Sequence, residues 1–234
     1  MCLVSYIPLK DGYLISSNRD ESPDRASTPL ILDNNYLTPL YYPRDQKGGS
    51  WLVTAENGRT VCVLNGAFVR HKRKSSYRLS RGIMSKSYFN YNHTEEFLHK
   101  YDFTDIEPFT MVIKDENGVY EFRWDGTYKY IEILDPHTLH LWSSCTLYED
   151  LMIEKRKNVF TQMYNNLQQN PSALIREIHL TGTVGDSENN FVMNRDNRVA
   201  TISHSYVKVQ DKQGIINIEN LMDRSVEEKQ FEIH

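Results

Sequence analysis

The sequence predicts an α+β protein whose strands pair mostly antiparallel. Two observations carry that prediction. Runs rich in β-branched and aromatic residues are joined by short turn signals such as Lys10-Asp11-Gly12, Glu56-Asn57-Gly58, Asn117-Gly118 and Asp125-Gly126, and connections that short join antiparallel neighbours. Segments of helical period fall in two blocks, so the order reads strands, helices, strands, helices, strands. Two helical blocks are compatible with a four-layer αββα sandwich of stacked sheets, although the pattern alone reaches no further than α+β.

The elements follow in order. Cys2 to Ile7 and Tyr13 to Ser17 form a first hairpin across Lys10-Asp11-Gly12. Residues 22–47 carry Pro23, Pro29, Pro39 and Pro43 and read as irregular. Gly48-Gly49-Ser50 then releases a strand from Trp51 to Thr54, and Glu56-Asn57-Gly58 turns it into Thr60 to Asn65. Helices are expected over 78–90 and 94–101. Four strands follow Pro108: Phe109 to Ile113, Val119 to Trp124, Tyr128 to Leu134 and Leu139 to Ser143. Tyr148 to Leu167 has the strongest helical spacing, with Leu151, Ile153, Val159, Phe160, Met163, Tyr164 and Leu167 recurring on it. Pro171 opens a further helix to His179 as a first-turn proline. Strands near 199–210, 214–221 and 228–233 close the chain.

The chain has 234 residues and a net charge of -4. That length suffices for one sizeable core, and residues 1–234 are read as a single domain in the absence of repeats or linkers. The charge gives no case for nucleic-acid binding. No apolar run approaches the ~20 residues of a membrane helix. The apolar start lacks a basic leader, so no secretory signal is expected. Cys2, Cys62 and Cys145 are odd in number and far apart. A disulfide framework and a metal site are therefore not expected, and a cytoplasmic location fits.

Met1-Cys2 and Ser17-Asn18-Arg19-Asp20-Glu21 are the segments that point to chemistry. On its own, Cys2 reads as a small buried residue of the first strand. Removal of Met1 would instead put a nucleophilic thiol and a free α-amine on one residue, and the amine can then serve as base for its own side chain. Thiol and amine have ordinary pKa values near ~8.5 and ~7.7–8.0, and a neighbouring cation such as Arg19 favours the thiolate. Asp20 is placed to orient the amine. Asn18 to Glu21 otherwise read as a surface loop with an ion pair, worth little. Asn65 ends an apolar strand, where its amide is either a turn residue or a donor to a developing oxyanion. Ser144, in Ser143-Ser144-Cys145-Thr146, occupies a comparable strand end. The cluster Arg70-His71-Lys72-Arg73-Lys74, with Arg78 and Arg81, is a solvated loop or the rim of a pocket for an anionic ligand. His204 reads as a core residue.

Met1-Cys2, Asn18-Arg19-Asp20-Glu21, Arg25, Arg44-Asp45, Gly48-Gly49-Ser50-Trp51-Leu52 and Leu64-Asn65 together resemble the NRDE family, the group named after transport and Golgi organisation. Ser80-Arg81-Gly82 and Trp142-Ser143-Ser144 fit weaker, later signals, and the form of the motifs resembles a bacterial branch. That family is similar in turn to the N-terminal-nucleophile (Ntn) hydrolases, nearest the bile-salt hydrolase and penicillin V acylase group. The resemblance implies the four-layer αββα sandwich. It also implies an Ntn hydrolase acting on an amide or thioester, with Cys2 as nucleophile, Arg19 and Asp20 beside it, and Asn65 at the oxyanion. Asn18, Glu21, Ser144 and Arg198 are the implied substrate contacts. Here Ser17 stands where the acylases carry an arginine, and Arg19 lies between Asn18 and Asp20. No cofactor is required by this reading. The alternative is a binding or trafficking protein for haem or an acyl compound on the same fold, with Cys2 or His204 as the haem ligand. Either reading implies a small-molecule ligand that is apolar with an anionic group, and neither fixes the oligomeric state.

Overall fold

The computed structural model describes residues 3–25, 27–166 and 170–234; Met1, Cys2, Ala26 and residues 167–169 lie outside them. The chain begins with β1 (Leu3–Leu9), β2 (Gly12–Glu21), β3 (Ser27–Asp33), β4 (Leu40–Asp45), β5 (Leu52–Ala55) and β6 (Thr60–Asn65). Helices α1 (Arg81–Ser87) and α2 (Thr94–Lys100) follow, with a 3₁₀ turn at Tyr88–Asn90 between them. Next come β7 (Phe109–Lys114), β8 (Val119–Trp124), β9 (Lys129–Leu134) and β10 (His140–Ser143), then α3 (Asp150–Asn166) and α4 (Pro171–Thr181). The chain closes with β11 (Asn194–Arg195), β12 (Val199–Gln210), β13 (Gln213–Asn220) and β14 (Val226–Glu232).

Two seven-stranded sheets result. The first runs β10-β1-β2-β12-β13-β14, with β11 paired to β12, and the second runs β3 to β9 in sequence order. All of these pairings are antiparallel. Because strand side chains alternate between faces, each sheet feeds two apolar layers. Val4, Tyr6, Tyr13 and Ile15 meet Leu52, Cys62, Leu64 and Val112 between the sheets. Leu3, Ile7 and Leu14 pack outward on Phe160 of α3 and Leu174, Ile175 and Ile178 of α4. Val53, Val61, Met111 and Phe122 pack outward on Met84, Tyr88 and Phe97 of the first helical block. The order helices, sheet, sheet, helices is the four-layer αββα sandwich that the family resemblance implied.

Three local expectations change. Residues 22–47 are not wholly irregular, because β3 and β4 lie within them. The prolines that argued against strands are tolerated by position. Pro29 is on the outermost strand of its sheet, and Pro43 lies beyond the short ladder in which Leu40 and Tyr41 pair with β5. Asn18 to Glu21 are not a loop: they are the end of β2, and Asn18, Arg19 and Asp20 are buried. On α3, Leu151 is exposed, and the face turned inward centres on Arg156 and Phe160. Leu167 lies outside the described residues.

Under α4, the outward face of the first sheet carries a buried polar layer. Asn18 Nδ2 donates to the carbonyls of His179 and Phe191, each at 2.9 Å. Asn18 Oδ1 therefore accepts from His179 Nδ1 at 3.1 Å, and His179 Nε2 accepts from the Ser5 hydroxyl at 2.8 Å. The Ser16 hydroxyl donates to the Ser205 carbonyl at 3.2 Å and receives His204 Nε2 at 2.8 Å. Ser5, His179 and Asn18 thus have the connectivity of a nucleophile, base and orienting residue. All three are completely buried, so the arrangement ties α4 to the sheet and is closed to substrate.

Burial holds both imidazoles neutral. It pushes His204 down to about 3, helped by the charge of Arg176. It pushes His179 well below the ordinary histidine value, with His204 and Arg156 adding to the effect. Each histidine is protonated near pH ~6.5 in the unfolded chain. Their stabilising contribution is therefore complete above that pH and is lost as pH falls from there toward about 3 for His204. Two extra protons in the unfolded state give a slope of up to ~2.7 kcal/mol per pH unit. Denaturant titrations between pH 7 and pH 5 are expected to show His204→Gln losing stability less steeply than the wild type, by up to about 1.4 kcal/mol per unit at the acid end. Parallel slopes would contradict this.

Candidate active site

The polar end of β2 is held by contacts that arrive from distant parts of the chain. Leu3 of β1 pairs with Asn18, and Ser203 and Thr201 of β12 pair with Arg19 and Asp20. Between Thr201 and Ser203 the ladder shifts register at Ile202, a bulge that re-aims the flanking side chains. Thr201 Oγ1 then donates to Asp20 Oδ1 at 2.6 Å while accepting the Met193 N–H at 2.9 Å. The Tyr148 hydroxyl approaches Asp20 Oδ2 at 3.4 Å. The Tyr148 ring is itself faced by the guanidinium of Arg156 at 4.2 Å and that of Arg195 at 5.3 Å.

Arg19 is on the opposite face of β2. Its guanidinium stacks on Trp51 at 4.5 Å, donates to the Arg25 carbonyl at 2.9 Å and lies 3.7 Å from Asp45 Oδ2. Arg25 closes the network by pairing with Glu21 and, at 2.5 Å, with Asp45. Desolvation pulls the Arg19 pKa down, opposed by Glu21 and Asp45. The charge persists because an arginine titrates so far above neutrality.

Trp51 is placed by the glycines before it. The Ser50 N–H donates to the Gly82 carbonyl at 3.0 Å, and the Ser85 hydroxyl of α1 donates back to the Ser50 carbonyl at 2.8 Å. A Cβ on Gly82 would lie 2.8 Å from Ser50 N, and one on Gly49 would lie 2.9 Å from the Gly82 backbone. Gly48 has φ +81°, which a side chain disfavours. The segments Gly48-Gly49-Ser50-Trp51 and Ser80-Arg81-Gly82 are thus two halves of one backbone contact.

These elements enclose a cleft of about 290 Å³. Arg19, Glu21 and Trp51 line it, with Asn65 from the end of β6 and residues 73–77 of the loop that precedes α1. Six cationic side chains (Arg19, Arg25, Lys47, Arg73, Lys74 and Arg81) border it against three carboxylates (Glu21, Asp45 and Glu107). Glu107 draws in Arg81 at 3.1 Å, His71 at 3.2 Å and Arg73 at 3.8 Å. The basic segment seen in the sequence is therefore part of the cleft rim, and the surplus of positive charge suits an anionic ligand.

The sequence-predicted residues distribute as follows. Arg19, Glu21 and Asn65 line the cleft. Asp20 is buried on Thr201 and Tyr148, and Asn18 is used within the helix–sheet layer. Ser144 donates to the Asn65 carbonyl at 2.7 Å and so fixes the strand end that carries Asn65. Arg198 is exposed between β11 and β12 and does not line the cleft. His204 is buried on Ser16. Cys2 lies outside the described residues. The sequence reading missed Trp51 as the platform of Arg19, Asp45 as its acid, and Thr201 and Tyr148 as holders of Asp20. Only Trp51 and Asp45 had a signal, being part of the motifs already noted.

The chain belongs to the Transport and Golgi organisation 2 family, whose model matches residues 1–220. No relative among curated protein sequences matches it. Among solved structures, the fold is similar to penicillin V acylase from Agrobacterium tumefaciens, with a TM-score of 0.57 and 13% identity, over 97% of this chain and 84% of that one. Two variants of conjugated bile acid hydrolase from Clostridium perfringens are also similar. One has a TM-score of 0.53 and 10% identity over 97% of this chain and 92% of its own. The other has a TM-score of 0.54 and 11% identity over 100% and 97%. The architecture is thus that of the Ntn hydrolases. Among the described residues, no helix is long and apolar enough to cross a membrane.

The glycine contact supplies a direct test of how the cleft wall is held. Gly82→Ala is expected to lower unfolding stability by about 1–3 kcal/mol, since the added methyl meets backbone that cannot swing away. A chemical denaturation curve superimposing on the wild type would show that the two segments can separate at no cost.

Proposed function

We propose that this protein is a cysteine Ntn hydrolase that cleaves an amide or thioester in an acyl substrate carrying an anionic group. The observation that carries the reading is the buried, stacked Arg19 guanidinium on the wall of a cationic cleft. Leu3 pairs with Asn18, next to Arg19, and Cys2 immediately precedes Leu3 in the sequence. The family membership and the acylase-like fold support the same reading.

In this mechanism the Cys2 thiol attacks the substrate carbonyl and its proton passes to the α-amine, with Asp20 orienting that amine. Arg19 favours the thiolate. The Asn65 amide, whose strand end is fixed by Ser144, donates to the tetrahedral oxyanion. Collapse breaks the C–N or C–S bond, and the ammonium returns its proton to the leaving group. Water then attacks the acyl-enzyme thioester, releasing the acid and restoring the thiol. The cationic rim binds the anionic part of the substrate in both ground and transition states. No cofactor enters these steps.

Two variants separate the roles. Cys2→Ala is expected to abolish turnover of acyl substrates with the fold intact by circular dichroism. Asn65→Ala is expected to lower kcat by about 10²–10³-fold with little change in KM. Undiminished turnover by Cys2→Ala overturns the reading. Saturable binding of haem or an acyl compound by the wild type, with no turnover of any acyl substrate, would replace it with the carrier function.

A further inference from the structure

Two buried donors in the wall of the cleft have no acceptor among the described residues. One is the indole N–H of Trp51, a residue only 6% exposed. The other is the Nε–H of Arg25, whose terminal nitrogens are taken by Glu21 and Asp45. Both residues line the cleft. A buried donor without an acceptor is destabilising, and native proteins keep few of them. The other two tryptophans show the contrast. Trp124 Nε1 donates to the Ile106 carbonyl at 3.1 Å, and Trp142 Nε1 donates to Glu121 Oε2 at 2.6 Å.

Charge sets the chemical class of the missing acceptor. The six cations and three carboxylates that line the cleft leave three positive charges in excess. Lys74 is neutralised by Asp105, 2.8 Å away and outside the lining, so two remain. Each of the three carboxylates is already engaged by an arginine. A carboxylate ligand would compensate one of the two remaining charges. A phosphate monoester compensates both, with a charge of about −1.5 to −2 at pH 7, and offers three strong acceptor oxygens. The hydroxyls of Ser75 and Ser76 also line the cleft and add donors for such a group.

We propose that the anionic part of the ligand is a phosphate monoester, and that the Trp51 indole and Arg25 Nε donate to its oxygens. This rests on the hydrolase reading for the acyl part of the substrate and on the cleft alone for the phosphate. Trp51 then has two functions: its ring face carries Arg19 at 4.5 Å, and its N–H recognises the ligand. Both donor atoms are closed to solvent, so binding includes a small shift of the side chains around them. Pairing of Arg25 with Glu21 and Asp45 holds its guanidinium in place and leaves Nε as its remaining donor.

The indole N–H resonances of the full chain test this without any turnover. The chain has three tryptophans, so the isotope-labelled protein gives three indole signals, assigned by through-bond correlation. Ethyl phosphate is expected to shift the Trp51 signal downfield with saturation and to leave Trp124 and Trp142 in place. Acetate at the same ionic strength, which screens surface charge equally, is expected to leave all three unmoved. Trp51→Phe keeps a ring beneath Arg19 and removes the donor. It is expected to bind ethyl phosphate at least about 10-fold more weakly by calorimetry. If Trp51→Phe does not fold, Arg25→Lys, which keeps the charge and removes the Nε–H, takes its place with the same expectation. No saturable shift at Trp51, an equal response to acetate, or unchanged affinity in the variant overturns the proposal. Binding of inorganic phosphate with exclusion of ethyl phosphate also overturns it, since the ligand would then be the free ion. A saturable Trp51 shift in a protein that turns over no acyl substrate would remove the hydrolase reading and leave the phosphate site standing. Turnover without that shift would do the reverse.

Discussion

A polar segment at the end of a strand buried on both faces must find every partner inside the protein, and much of the molecule is arranged to meet that demand. β2 lies between β1 and β12, with helices on one side and the second sheet on the other. Its last residues are Asn18-Arg19-Asp20-Glu21. A buried charge or amide left unpaired costs several kcal/mol, so each of these groups is matched. Asn18 is answered by α4, Asp20 by the β12 bulge and Tyr148, and Arg19 by Trp51 and Asp45. Alternation along the strand sends Asn18 and Asp20 toward the helical layer and Arg19 toward the second sheet.

That division also explains why the cleft is where it is. The inter-sheet layer is apolar along most of its length, with Tyr13, Ile15, Leu52 and Leu64 in contact. At the end of β2 it gives way to Arg19 stacked on Trp51, and the cleft opens there. Trp51 serves both regions, as part of the inter-sheet core and as cleft wall. The glycine contact between the β5 approach and α1 sets its position, and Glu107 anchors the basic rim above. Binding of an anionic group and positioning of the polar strand end are therefore consequences of the same packing.

Much of this was legible in the sequence. The turn signals at Lys10-Asp11-Gly12 and Glu56-Asn57-Gly58 marked hairpins that the structure contains. The motif residues Arg19, Glu21 and Asn65 reach one cleft although Asn65 is far along the chain. The strands β3 and β4 were hidden because a proline argues against a strand unless the edge and ladder ends are known. The burial of Asn18 and Asp20 was hidden because polarity reads as exposure when the partners are more than a hundred residues away. Asn18 shows the difficulty most clearly: its amide looks like site chemistry, and its partners on α4 make it a structural tie. Thr201 and Tyr148 carried no local signal, since their role depends on a bulge and on which strands become neighbours.

The proposed hydrolase mechanism requires an activated cysteine at a processed amino terminus. The most direct measurement is the intact mass of the purified protein, followed by mapping which cysteine reacts first with limiting alkylating agent at neutral pH. Burial raises the thiol of Cys62 to about 12 and raises that of Cys145 above its ordinary value, so both are expected to be slow. Loss of Met1 and reaction at Cys2 well ahead of the other two are the expected results. Retention of Met1, or a Cys2 no more reactive than Cys145, would contradict that mechanism.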